Sequence, residues 1–562
     1  AEERLGVEGL AAELRRDWPR AEEIYGRLWT AFPDNLEYGL KLTRTQIDGG
    51  RGAAALLTIE ALRALPEPDR SNPRIDLAEA AAALATSSFA RQRDAARRAA
   101  DRSEALNAPL LVAEARLREA EALRRLGDSA GAATASDAAR LLYVAAGDRV
   151  GEAAALTVAA GAQFDRGDLA ASRAANEQAL ARYQEAGDRG GVARSLNSLA
   201  VVARNLGELE RARSLYEEAL QVLAEVGDLR GTAYTRNNLA AASAEEGRLA
   251  EAKEAVTDAL AVFRQLDDPS GIADALLNLG AIERQQGALA DARVHLEEAL
   301  AKKRDLGQRP GESATMVALG ALAIDRGELS EARSSLEAAA AVAREVSSKA
   351  VLSNALAELA EVEIESADLA RALTRAEESL AIRRELGRRG KVDESRILLA
   401  RIALEGGEVR ARLADVEALA AEGTSGRSPD LAAAIEFIRA RANAALGRVG
   451  ESRAALARGV ALSAASENLQ IRLQATATAL TTEIAGAKSL AGPLGPGEAI
   501  SLAAEKGFRV RALEIEVRRL RAERRAGGGA EATASLRRIS AEATARKLLR
   551  IARQADAAAG SS

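Results

Sequence analysis

The sequence predicts an all-α solenoid, a superhelix of about 12 to 13 helical hairpins curved around a concave face. Three observations carry that prediction. First, Gly127, Gly167, Gly207, Gly247, Gly287, Gly327, Gly407 and Gly447 recur every 40 residues, with Ala367 at the one vacant place. A second series, Gly147, Gly187, Gly227, Gly307 and Gly387, lies midway, with Asp267 and Ser347 in its gaps. A turn every 20 residues over a stretch of about 300 marks one supersecondary unit copied and stacked. Second, the apolar residues between turns fall at helical spacing. Third, aromatic residues make up only 2% of the 562, and much of the 48% hydrophobic content is Ala. A sandwich or barrel wants more β-branched and aromatic side chains.

One unit, residues 190–227, shows how each element arises. Val192, Leu196, Leu199, Ala200, Ala203 and Leu206 form one apolar stripe, and Gly207 ends that helix because glycine takes the left-handed cap cheaply. Leu209, Ala212, Tyr216, Ala219, Leu220 and Leu223 form the second stripe, ended by Gly227. Each helix is about 16 residues, roughly 24 Å. Small residues recur where the two helices must approach: Ala200, Ala240, Gly280, Gly320 and Ala360 in one column, and Ala212, Ala252, Ala292, Ala332 and Ala372 in another. Leu199, Leu239, Leu279, Leu319 and Leu359 fill the neighbouring column, the large-against-small alternation that lets helical layers interdigitate.

Along the chain, residues 1–73 hold two shorter repeats and end in the Pro-rich stretch 64–73. Residues 74–147 hold two less regular hairpins, and 148–407 the regular 40-residue array. Irregular hairpins follow over 408–490, with a loop expected at 422–430 and a turn at Gly447. The Pro/Gly stretch 491–498 opens a capping tail, 491–562, expected as one helix from Ala499 to about Arg525, a glycine break at 526–530 and a final helix. The basic run 509–525 reads as a solvated helix face, with a docking patch for an acidic partner as the alternative.

The order large apolar, Leu-Ala or Leu-Gly, Gly, Ala, aromatic, Ala-Leu resembles the tetratricopeptide repeat, over roughly residues 1–466. Ala21, Tyr25, Leu28 and Pro33 stand at that family's positions in the short first repeat. The 40-residue units resemble the long repeats of kinesin light chains and of bacterial peptide-sensing regulators. The stretch Ala12 to Gln46, followed by residues 72–85, resembles the repeat region that follows the effector domain of bacterial serine/threonine kinases and of some winged-helix regulators. That resemblance implies an effector domain ahead of Ala1. The fold serves many partners, so the resemblance speaks to architecture more than to activity.

The composition argues against catalysis. There is no Cys, so no thiolate nucleophile or thiolate metal ligand, and the single His295 excludes a multi-His metal site. No phosphate-binding loop and no kinase catalytic motif is present. His295 reads as helix filler, Trp18 and Trp29 as anchors of the first repeat, and the pairs Glu217/Glu218, Glu297/Glu298 and Glu377/Glu378 as outer-face solubilisers. The net charge of −5 favours neither nucleic acid nor an anionic membrane, and no apolar run approaches a membrane span. No cofactor is expected; a cytoplasmic location is, with an extracytoplasmic one as the alternative. The oligomeric state stays open.

One constellation points to binding. With the apolar stripe of each first helix turned to its partner, Arg194, Asn197, Ser198 and Asn205 face the concavity. So do Tyr234, Asn237 and Asn238, then Asp274, Asn278 and Gln285, with Asn354 further on. Asn is a mediocre helix former that offers both a donor and an acceptor, so a column of them suits the backbone of an extended peptide. The long-repeat relatives bind peptides through Asn at the column of Asn238 and Asn278, and the resemblance implies the same use here. Asn in these columns could equally bond the neighbouring repeat and fix stacking. Further on, the columns turn apolar or acidic, at Val317, Ala318, Ala321, Glu358 and Glu361. Arg194, Arg204 and Arg284 are spread out, so no clamp for a terminal carboxylate is expected. The expected function is non-catalytic recognition of a protein or peptide, as the sensory or regulatory arm of a bacterial signalling protein. The alternative is a scaffold that self-associates or bridges partners through its ends or convex face.

Overall fold

The computed structural model describes residues 2–15, 17–423, 427–484, 494–527 and 529–560. Parts of the expected breaks at 422–430, 491–498 and 526–530 lie outside the described residues. Among those described are 29 α-helices and no strand. They alternate between a first (A) and a second (B) helix of each hairpin, so 29 helices make fourteen hairpins and one closing A helix, Leu549–Gly560.

The extra hairpins beyond the expected number come from the tail. The single helix expected from Ala499 to Arg525 is two helices, Pro496–Glu505 and Arg509–Arg525, and the last segment is Ala530–Ala545 followed by Leu549–Gly560. Gly507 (φ +85°) and Lys547 (φ +62°) divide them in left-handed turns on the same 20-residue register. The tail therefore continues the repeat. The helix Arg509–Arg525 is also no solvated face: Val510, Leu513, Glu514, Ile515, Val517 and Arg518 are among its buried residues.

The turns are built from two adjacent residues. The comb residue adopts positive φ, as at Gly187 (φ +71°), and ends one helix. The Asp that follows often caps the next: Asp148, Asp188 and Asp228 each accept from the amide three residues on at 2.9 Å. Ala367 (φ +58°), Asp267 (φ +48°) and Ser347 (φ +54°) keep the left-handed turn without glycine.

The small-residue columns pack as their sizes require. Ala200, Ala240, Ala360, Ala212, Ala252, Ala292, Ala332 and Ala372 are wholly buried. At Gly320 a Cβ would stand 2.5 Å from Leu336 Cγ, so only glycine admits this approach. The paired glutamates at 217/218, 297/298 and 377/378 are exposed on the B helices.

The superhelix closes on itself. The A–B turns of one superhelical turn press against the B–A turns of the next: Gly127 against Pro310 and Val346, Gly167 against Leu386, Gly287 against Leu469 and Phe508, Gly327 against Val510 and Leu548. A Cβ at Gly167 would stand 2.0 Å from Leu386 Cδ2, so this seat is tight. Two apolar clusters bind the C-terminal helices to the array. One joins Leu329, Leu336 and Leu359 to Leu513, Leu536 and Ile551; the other joins Leu289 and Leu296 to Leu473, Phe508 and Ile515.

Candidate functional site

The A helices line the inside of the superhelix, and their inward polar residues obey a simple spacing. A side chain on one A helix meets a partner 41 residues on, one repeat plus one position. Asn238 Nδ2 donates to Asn197 Oδ1 at 3.1 Å. Asn278 Nδ2 donates to Asn237 Oδ1 at 3.1 Å and to the Asn237 carbonyl at 3.3 Å. Arg124 meets Asp165 at 3.3 Å, and Arg284 meets Asp325 at 2.8 Å. The rule follows from stacking: equivalent positions on adjacent A helices lie side by side, and one further residue turns the second side chain back toward the first.

The structure divides the predicted residues into groups. Asn197, Asn237, Asn238 and Asn278 form the ladder just described, with Asn237 buried. Arg194 is exposed at its A helix's start, over the Tyr183 ring at 5.5 Å and 3.6 Å from Asp188. Tyr234 donates to Asp268 at 3.2 Å and packs edge-on against Phe263. Burial, with Asp268 adding, pushes its phenol well above the ordinary value. Asp274 accepts from the buried Lys303 ammonium. Asn354 accepts from Arg383 at 3.0 Å. Asn205 and Gln285, at the other ends of their A helices, line a cavity. Asn205 spends its amide on its own helix, at the Val201 carbonyl (2.9 Å).

That cavity, about 500 Å³, is walled by two superhelical turns. Arg204, Asn205, Arg284 and Gln285 come from the first, and Glu358, Arg388, Lys391, Arg401 and Arg441 from the second. Its lining holds eight Arg or Lys against five Asp or Glu, so the space is net positive. Several of these charges are spoken for: Arg401 pairs with Glu361 and Glu365, Arg441 with Glu405, Lys391 with Glu394. Others are not. Among the described residues Arg204 has one ion partner, Glu245 at 4.0 Å. Arg388 Nε is buried with no hydrogen-bond partner among the described residues. Burial pushes the Arg388 guanidinium below its ordinary value, and Arg383 and Arg204 push the same way against Glu245. Glu358 stands across from them with its carboxyl pushed up to about 7, by burial first and by Glu361 and Asp325 beside it, against Arg284.

The expectation that Arg194, Arg204 and Arg284 are spread out concerns one superhelical turn; across the cavity, Arg388 of the next turn shares a lining with Arg204 and Arg284. Sequence reasoning missed Arg388, Lys391 and Arg441 because only closure of the superhelix carries them opposite Arg204 and Arg284. The spacing between those positions held no local signal. A wider depression of about 800 Å³ around Trp18 and Pro19 lies on the N-terminal hairpins, but it is open and shallow. The cavity inside the superhelix is the more enclosed of the two, and two of the guanidiniums lining it are under-partnered among the described residues. His295 sits outside it, its Nδ1 2.7 Å from the buried Glu283. Among the described residues no helix is long and apolar enough to cross a membrane.

Comparison with known proteins finds the repeat in part of the chain. Residues 191–265 and 271–345 match the tetratricopeptide repeat. No curated protein matches the chain. Among solved structures, a Rap protein complexed with competence and sporulation factor is 14% identical, with a TM-score of 0.49 over 62% of this chain and 98% of its own. BtubC from P. vanneervenii is 24% identical, with a TM-score of 0.31 over 40% of this chain and 91% of its own. Aspartyl phosphate phosphatase F from Bacillus subtilis is 13% identical, with a TM-score of 0.40 over 62% of this chain and 94% of its own.

Proposed function

We propose that this chain, which carries tetratricopeptide repeats, binds an extended protein segment bearing an anionic group inside its superhelix and acts as the sensing arm of a bacterial signalling protein. The observation that carries the reading is the pair of under-partnered guanidiniums, Arg204 and Arg388, facing a net-positive cavity from two different superhelical turns. A part-buried guanidinium with weak pairing has donors to spare, and a ligand carboxylate or phosphate would take them. Asn205 and Gln285 beside them supply amide groups suited to a peptide backbone. The ladder of Asn197, Asn237, Asn238 and Asn278 holds the A helices in register beneath that site, and Arg194, Tyr234 and Asp274 extend the polar surface along it. A segment gripping both turns would resist their separation, which gives binding a route to the rest of the molecule.

The test is binding of an array of extended peptides differing in the number and position of carboxylates and phosphates. The wild-type chain is expected to enrich anionic peptides. The Arg204→Ala, Arg388→Ala double variant is expected to lose about tenfold or more, the cost of charged hydrogen bonds. Equal enrichment by the wild type and the double variant, with the fold intact by circular dichroism, overturns the reading.

A further inference from the structure

The contact between successive superhelical turns uses a small set of repeat positions. On the B–A edge of the second turn, the residue before the comb position (Leu386) seats against Gly167. The residue three after the comb position does so at Pro310, against Gly127, and at Val510, against Gly327. The residue two after it does so at Leu469, against Gly287. On the opposite side Leu126 and Leu206 reach down to Gly307 and Gly387. The interface is thus a row of apolar knobs from one edge set among glycine turns of the other.

The first superhelical turn carries the same knobs on its own B–A edge, with no described residue seated beneath them. Leu106 occupies the repeat position of Leu386, yet is 63% exposed where Leu386 is 4%. Leu229 occupies the position of Leu469, and is 60% exposed where Leu469 is 5%. Leu110 and Val150, at the position of Pro310 and Val510, are exposed as well. The glycines of that edge, Gly147 and Gly187, have open space where a Cβ would be. At the far end the situation is mirrored. Gly407 and Gly447, on the A–B edge of the last turn, also face open space, whereas Gly127, Gly167, Gly287 and Gly327 are all covered.

We propose that the free B–A edge of the first superhelical turn, through Leu106, Leu110, Val150 and Leu229, docks on the free A–B edge around Gly407 and Gly447 of a second copy of this chain. The occupant is identified by continuity with the interface inside the molecule. The uncovered knobs match the knobs already used, and the uncovered sockets match the sockets already used. Both occur on the same chain at opposite ends. Such a contact is head-to-tail and does not close on itself, so it extends the superhelix from copy to copy. Exposed leucines that are scattered singly need no explanation, but a row of them in the register of a buried interface does.

The experiment measures mass by light scattering across a range of concentrations, using the whole chain. The wild type is expected to rise from one chain to at least twice that mass. Leu106→Glu with Leu229→Glu blocks the knobs, and Gly407→Asn with Gly447→Asn fills the sockets, asparagine being the side chain that best tolerates positive φ. Each variant alone is expected to stay at one chain, and an equal mixture of the two to reach two chains and stop. That capped pair is the signature of a head-to-tail contact. A wild type that stays at one chain throughout overturns the proposal. So does association that survives in either variant, or a mixture that does not pair. Val150→Glu, at another exposed knob, repeats the knob arm should the first variant unfold.

Discussion

At the scale of single residues, the inward asparagines separate into those that hold the molecule and those that remain available. Asn237 is buried and its side chain accepts from Asn278, which also donates to the Asn237 carbonyl, so Asn237→Ala removes one of two acceptors and should cost about 1 kcal/mol. Asn205 bonds only its own helix, and Asn205→Ala should change stability by less than about 0.5 kcal/mol. Repeat proteins need not unfold in one step, so the readout is hydrogen exchange in the helices Leu229–Glu245 and Pro269–Gln286, which should quicken for Asn237→Ala and not for Asn205→Ala. Glu358 makes a second residue-scale prediction. Its folded carboxyl is raised from 4.5 to about 7, so between those pH values the folded chain keeps a proton that the unfolded chain has lost. Stability therefore falls as pH rises through that window. Glu358→Gln should flatten that part of a melting-temperature profile; an unchanged slope would reject the assignment. That asparagine is frequent in the inward columns was legible from the sequence. Which asparagine meets which was not, because the pairing depends on how far one repeat is rotated against the next.

At the scale of the helix and its turn, the chain follows local rules almost throughout. A comb residue in the left-handed region closes one helix and, in many repeats, an aspartate opens the next. This pattern is short-range, so a 20-residue period of glycines predicts it directly. Ala367 is informative because it keeps φ +58° with a Cβ present. Left-handed backbone costs a non-glycine residue roughly 1–2 kcal/mol, so Ala367→Gly should stabilise the flanking helices Lys349–Glu365 and Leu369–Glu385 by about 1 kcal/mol, seen as slower hydrogen exchange there. The tail obeys the same local rule while its composition points elsewhere. Gly507 sits on the comb, but the Arg and Glu residues that follow it read as a solvated run. Helix Arg509–Arg525 buries Glu514 and Arg518 among partners from other repeats, which no local pattern reveals.

At the scale of the whole molecule, a buried charge network ties the final helix to the middle of the array. Arg550, 4% exposed, donates to Glu365 at 3.0 Å and lies 3.8 Å from Glu405 and 3.6 Å from Glu514. Burial acts to raise the Glu514 carboxyl, but Arg518, Arg511, Arg550 and Arg441 outweigh it and hold it well below the ordinary value. Arg550→Met would leave these carboxylates short of a cation, at about 3–5 kcal/mol, the penalty for breaking a buried pair from one side. Limited proteolysis should then cut the helices Ala530–Ala545 and Leu549–Gly560 well before the rest of the chain. Equal rates for the two regions would show that the apolar cluster alone holds them.

The all-α class, the helix boundaries of the regular array and the stacking of its repeats were determined by the sequence alone, since each rests on spacing within about 40 residues. The closure of the superhelix, and with it the cavity that faces Arg204 with Arg388, was decided only in three dimensions. Small rotations between neighbouring repeats accumulate over a full turn, and their sum, which no single repeat encodes, sets what the inner charges meet.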